Sequence, residues 1–279
     1  MNPVPPMIST FNFDIGSIIL WPTALGLIMT KRDTNQDRLK REPFSPLRVR
    51  MVLRHVLYIS YALPALKIRQ IIPDKLPLVT VNNSSAFVSI VALRCERVRI
   101  NLIPAIRFNY NQLNIRTYVL DPISRKPAVC FLKSGITSSL ISLVTRTAGI
   151  PWQKIEFNIQ SQEQAVKTSD IATGNWEGEF LLKAHQAGAE VQSPHYFQDL
   201  KSAVNLLIRP LTGFIVHGKI ARRFTIQHAE VKPQLWALES ISFPPLESME
   251  IVGDVGRPHS VFYLPKAEFS IFLPPREVK

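Results

Sequence analysis

Residues 149–154 read GIPWQK, and an amine beside a Gly-X-Pro corner raises the prospect of covalent chemistry. Lys154 opens an alternating stretch, KIEFNI. A lysine attacks a carbonyl to form a Schiff base when apolar burial or a neighbouring cation depresses its pKa. Side chains two apart share one face of a strand, so a cleft that receives Trp152 also receives Lys154 and Glu156. At about 3.3 Å per residue, Lys154 then stands about 7 Å beyond Trp152. Its neighbour on that face, Glu156, holds an amine's pKa up. The residues therefore predict a charged Lys154 paired with Glu156 at the mouth of a cleft, with a displaced nucleophile as the alternative.

A second row lies in QLNIRTYVL, residues 112–120. Gln112, Asn114, Arg116 and Tyr118 alternate with Leu113, Ile115, Thr117 and Val119. Polar groups facing an interior need partners. Arg116 suits a carboxylate or phosphate, because a guanidinium offers a planar fork of donors. The other reading has Arg116 bracing the fold against an internal acid such as Glu156 or Glu179. Trp152 can stack on a planar ligand or simply pack. His228, in RRFTIQHAEVK, shares a strand face with Phe224 and Ile226; it is a weak acid/base candidate beside a core reading. The six histidines show neither H-x-H nor H-E-x-x-H spacing, so no metal site is expected. G-x-S-x-G, P-loop and G-x-G-x-x-G motifs are missing too, so no cofactor is expected.

These residues need elements to position them. The 279-residue chain has 22 prolines against 11 glycines, which favours many short segments over long helices. Strands are expected at 52–60, 86–100, 112–120 and in AVCFLK after the turn DPISRKP. Further strands are expected at 152–159, in GNWEGEFLLKAH, and near 222–231, 235–243, 260–264 and 267–273. Helices are expected within 63–77, with Pro64 in the first turn and Pro73 as a stop, over 137–149, and near 196–208. The second of these carries an apolar stripe through Ile136, Leu140, Leu143 and Val144, closed by Gly149. Without a βαβ rhythm, this order predicts an antiparallel or mixed β-barrel with about three peripheral helices.

The formal net charge is +12, with basic stretches at 31–50 and 93–107. Aromatic residues are not interleaved with them and no nucleic-acid signature appears, so a solvated basic face is preferred to nucleic-acid binding. Cys95 and Cys130 form no C-x-x-C and read as reduced thiols of a cytoplasmic protein. Residues 13–29 are the most hydrophobic run, yet they contain Asp14 and Pro22 and lack a basic leader. They read as an arm packed on the barrel or on a partner, with membrane association and a mobile tail as alternatives.

The order of pieces resembles the acetoacetate decarboxylase-like superfamily. YALPALKIRQIIPDKLPL looks like its opening P-x-x-L-x-x-x-x-P helix, and residues 112–157 look like its central block. NIRTYV, GIPW and IQHAEVKPQLW are closest to the YqjF-like branch. The resemblance, over roughly residues 50–273, implies a closed, cone-like β-barrel around a small-molecule cleft. It also implies a Schiff-base lysine directly after the Gly-X-Pro corner, a second lysine beside it, and a glutamate on the earlier strand. Here those positions hold Trp152, Gln153 and Gln112, so Schiff-base decarboxylation is not expected. The chain is thus expected to comprise a hydrophobic arm and basic linker, residues 1–45, and a barrel, residues 46–279. The barrel is expected to bind a small anionic or carbonyl-containing molecule through Gln112, Asn114, Arg116, Tyr118, Trp152 and Glu156. Two alternatives remain: an assembly subunit docking to a protein or membrane through residues 1–45, or an enzyme using the cleft. An oligomer is left open.

Overall fold

The computed structural model describes residues 47–147, 149–163, 168–187, 196–251 and 257–278. Residues 1–45, the expected arm and linker, lie outside the described residues.

Seven strands close into a mixed barrel. They are β1 (Leu47–Pro64), β3 (Ser85–Ile100), β4 (Phe108–Leu120), β5 (Pro127–Ile136), β10 (Thr212–His217), β11 (Ile220–His228) and β13 (Ser260–Glu277). The β1–β13 pairing completes the ring, and β10 runs parallel to β5. Closure requires strongly bent strands. The bends fall where register slips: Arg50/Val52 and Arg54/Leu57 between β1 and β3, and Cys95/Val98 between β3 and β4. His55 and Arg97 take positive φ at two of these slips.

β13 is one 18-residue strand rather than the expected pair. Its length lets it serve two sheets. Residues 269–277 pair with β11, while Val261–Tyr263 pair with β12 (Gln234–Ser242). From β12 a second sheet continues through β9 (Glu179–Gln186), β8 (Thr168–Asn175) and β7 (Glu156–Glu163). β2 (Thr80–Val81) and β6 (Gln153–Lys154) are short additions to β3 and β5. β10 falls outside the expected strands.

Alternation sorts the side chains into two main cores. Tyr58, Val91, Leu93, Tyr110 and Tyr118 point into the barrel. Leu57, Ile90, Leu113 and Ile115 point outward, against Phe157, Ile159, Leu182 and Trp236 of the second sheet.

The described helices are short: α1 (Ala65–Arg69), α2 (Ser139–Thr147), α3 (Leu200–Leu207) and α4 (Pro244–Glu247). Pro64 caps α1 rather than entering its first turn. α3 starts at Asp199, whose carboxylate accepts from the Ser202 amide at 2.7 Å, and packs Ala203, Val204, Leu206 and Leu207 into the inner core. α2 does not bury its expected stripe: Leu140 and Leu143 are 55% and 64% exposed. It turns Ser142 and Thr145 inward instead, and the Ser142 hydroxyl donates to the Trp152 carbonyl at 3.1 Å. Among the described residues, no helix is long and apolar enough to cross a membrane.

Candidate functional site

β4 is paired on both edges, with β3 and with β5, and this fixes its two faces. Tyr110 and Tyr118 belong to the inner core, so Gln112, Asn114 and Arg116, which share their parity, face the barrel interior with them. All four residues of the expected row are buried.

Arg116 is 8% exposed. Its Nη2 donates to the Leu207 carbonyl at the C-terminal end of α3, at 2.5 Å. Its Cζ lies 5.1 Å from the Tyr58 ring centroid and 5.7 Å from that of Tyr118, within cation–π range. Its Nε has no hydrogen-bond partner. The expected acid is not there, since Glu156 and Glu179 are both exposed. Among the described residues no carboxylate pairs with Arg116.

Around the guanidinium runs a chain of hydroxyls. Ser60 Oγ and Ser89 Oγ are 2.7 Å apart, and Ser89 Oγ is 2.7 Å from the Tyr118 hydroxyl. Tyr118 in turn donates to the Leu207 carbonyl at 3.0 Å. Gln112 Nε2 donates to Asn114 Oδ1 at 3.0 Å, and the Cys95 thiol lies 3.8 Å from Gln112 Oε1. Burial pushes the Cys95 thiol up to about 12 and raises the Tyr58 phenol, the latter opposed by Arg116. The lining thus holds neutral donors and acceptors around one cation.

His228 enters the same interior from β11, on the face of Phe224 and Ile226. It is 4% exposed and stacks on Phe269 with centroids 4.6 Å apart. Its Nδ1 lies 2.7 Å from the Ala229 carbonyl. A carbonyl only accepts, so Nδ1 carries the proton and Nε2 is left as a bare acceptor with no partner. Burial lowers its pKa; the Ala229 bond opposes this, and Arg209 and Arg116 add to it.

The corner departs from its expected geometry. Parity holds from Lys154 through Gln160, where exposed and buried residues alternate, and fails at Trp152, which is half-buried while Lys154 and Glu156 are exposed. Gln153–Lys154 pair with β5, and Glu156 begins pairing with β8. Ile155 is buried between them, with Phe157 and Ile159, so Lys154 and Glu156 are exposed. Lys154 Nζ reaches its neighbour's carbonyl, Ile155 O, at 3.2 Å, and no ion pair joins it to Glu156. Trp152 is half-buried against the inner core. Gln153 accepts from the Trp176 indole at 2.6 Å.

Tyr58, Ser60, Ser89 and the Leu207 carbonyl stand outside the expected set. Alternation in VLYIS could have placed Tyr58 and Ser60 on one face, but their meeting with β4 and α3 is long-range and leaves no local pattern. Among the described residues, no cluster of three or more His, Cys, Asp or Glu side chains is placed to hold a metal ion.

The sequence of residues 50–268 matches the family DUF2071, described as an uncharacterized conserved protein. The chain belongs to the DUF2071 family. No curated protein matches it by sequence. Its fold is similar to that of an acetoacetate decarboxylase-like enzyme from Sphingomonas wittichii RW1, at a TM-score of 0.52 and 12% identity over 85% of this chain and 94% of that one. It is also similar to acetoacetate decarboxylase from Legionella pneumophila subsp. pneumophila str. Philadelphia 1, at a TM-score of 0.53 and 11% identity over 83% and 87% of the two chains. At such identities the likeness establishes the barrel architecture. The DUF2071 chain therefore shares the barrel architecture of these acetoacetate decarboxylase-like structures.

Proposed function

We propose that the barrel binds a small anionic molecule at Arg116 and lacks Schiff-base decarboxylase chemistry. The observation that carries this reading is a guanidinium enclosed in the barrel with a carbonyl and two rings around it and no carboxylate among the described residues. An enclosed cation without a counter-charge is costly, and a bound anion offsets that cost. His228 Nε2 offers an acceptor in the same interior, which suits a ligand that carries a hydroxyl or N–H donor besides its anionic group. The lack of Schiff-base chemistry is supported by Trp152 at the position the resemblance assigns to the reactive lysine. In addition, every lysine among the described residues has solvent contact, with none in the buried class.

Isothermal titration with acetate, pyruvate and glycolate tests the binding. Glycolate or pyruvate is expected to bind, and Arg116→Met to weaken binding at least about tenfold, a loss of about 1.4 kcal/mol. Borohydride treatment with pyruvate or acetoacetate is expected to leave the protein's mass unchanged. Equal binding by wild type and Arg116→Met contradicts the anion site, and a reduced adduct contradicts the rest. A second reading has support in the bond to Leu207: Arg116 and Tyr118 together clamp the end of α3. Under it, Arg116→Met lowers stability and none of these anions binds.

A further inference from the structure

Two solvent-open clefts flank the Pro151–Gln153 corner, and both are bounded by Pro151, Gln153 and His217. The first, of about 570 Å³, reaches Ser134 on β5, Lys219 in the β10–β11 hairpin and Arg69 on α1. The second, of about 490 Å³, is walled by Trp152, Ile150 and Ile215. We propose that the two clefts form one site, separate from the barrel interior, for a small molecule carrying both a phosphate and an aromatic ring.

The first cleft supplies the phosphate end. Ser134 is 5% exposed and its hydroxyl has no hydrogen-bond partner among the described residues. Enclosed hydroxyls are normally satisfied, so an orphan on a cleft wall marks where an acceptor belongs. Arg69 donates to the carbonyls of Ile72 and Leu76, both at 2.7 Å, which fixes its charge in the wall. Lys133 is neutralised by Glu177 at 2.8 Å and adds little. Lys219 and His217 are exposed and engage no side-chain partner among the described residues, so their donors can converge on a ligand. Gly218, at φ +56°, separates them, and nothing lies within 4 Å of where its Cβ would be. The one acid on the wall, Asp74, is fully exposed and lies 3.5 Å from Arg69 Nη2, where it pairs with Arg69 at the surface. Donors arriving from β5 and from the hairpin suit a tetrahedral dianion better than a flat carboxylate.

The second cleft supplies the ring end. Trp152 presents an indole held in place from behind: its carbonyl accepts from Ser142 and from Arg146 Nε at 3.3 Å. Gly149 is left-handed at φ +70°, and its carbonyl accepts from Arg222 at 2.8 Å. A Cβ there would stand 2.0 Å from the same guanidinium, so the corner is built around these two arginines. Apolar walls beside an indole take a planar ring.

Tryptophan fluorescence and calorimetry with AMP, phenyl phosphate, adenosine and inorganic phosphate provide the test. AMP or phenyl phosphate is expected to bind at least about tenfold more tightly than adenosine or phosphate alone, about 1.4 kcal/mol of added affinity. Ser134→Ala and Lys219→Glu should each weaken that binding several-fold. Trp152→Phe should abolish the fluorescence change while keeping most of the affinity, and Arg116→Met should change neither. Failure of both aromatic phosphates to exceed their fragments overturns the proposal. So does affinity indifferent to Ser134→Ala and Lys219→Glu. Sensitivity to Arg116→Met alone moves the binding to the barrel interior and also overturns it.

Discussion

Strand β4 and the segment 152–156 both alternate in sequence, yet only the first keeps its side chains where alternation puts them. β4 is laddered to β3 and β5 over its length, so its faces are locked. The segment 152–156 changes partner midway, from β5 to β8. Ile155, at the change, packs with Phe157 and Ile159 in the core between the barrel and the second sheet; its amide donates to the Ile136 carbonyl at 2.9 Å and its side chain covers Gly135. The difference teaches that alternation alone does not say which face is interior unless a continuous ladder ties the strand to the barrel. It also moves the chemical interest from an exposed lysine to an enclosed arginine.

The comparison breaks most visibly at the outer face of β4. Leu113 is fully buried between the barrel and the second sheet. Leu113→Ala should cost about 2–5 kcal/mol, from lost burial and the cavity left behind. Urea unfolding measures it. A loss under about 1 kcal/mol would mean that the second sheet does not press on β4.

On the inner face the expected effect is smaller and of a different kind. Arg116→Met keeps volume while removing a charge, a donor to Leu207 and two ring contacts. Tyr118 still donates to that carbonyl, so it is not orphaned. A net loss of about 1–3 kcal/mol is expected in the absence of ligand. Tyr118→Phe in the same background should add to the loss more than either change alone, because the carbonyl then has neither donor. Strict additivity of the two would argue that α3 is not held through Leu207.

His228 sharpens the same face through pH. Burial keeps its pKa below the ordinary 6.5, so the folded chain binds fewer protons at this ring than the unfolded chain does. Stability should therefore be full above pH 6.5 and fall as the pH drops below it, until the folded value is passed. His228→Phe should flatten that part of the profile. An unchanged slope between wild type and variant, measured by denaturant midpoint against pH, would place the ring in contact with water.

Legibility followed the same physics. The row from Gln112 to Tyr118 could be read because its alternation is uninterrupted. The barrel and its family could be read because the order of strand, turn, helix and corner is carried by local residues. What surrounds the row could not be read. Tyr58, Ser89 and Leu207 lie 58, 27 and 91 positions from Arg116 and meet it only after the barrel closes. The apolar stripe of α2 misled for an energetic reason. Thr145 Oγ1 bonds the Ile141 and Ser142 carbonyls, at 2.8 and 3.1 Å, and Ser142 bonds the Trp152 carbonyl. Hydroxyls satisfied in this way can be buried, and the corner they hold outweighs the exposure of Leu140 and Leu143.

The smallest effect belongs to the residue that first drew notice. Lys154 is exposed, bonds a neighbouring carbonyl and, among the described residues, engages no other partner, Glu156 included. Lys154→Ala should therefore change stability by no more than about 0.5 kcal/mol, in line with ordinary surface substitutions. Binding of small anions should be unaltered as well, since the side chain stands outside the barrel that holds Arg116. The informative control is Ile155→Ala, one position along. Ile155 is 4% exposed, and its removal should cost about 2–5 kcal/mol while leaving Lys154 untouched. If Lys154→Ala proved the more damaging of the two, the assignment of buried and exposed faces along 154–160 would be inverted. The lysine would then belong to the interior that alternation first assigned to it.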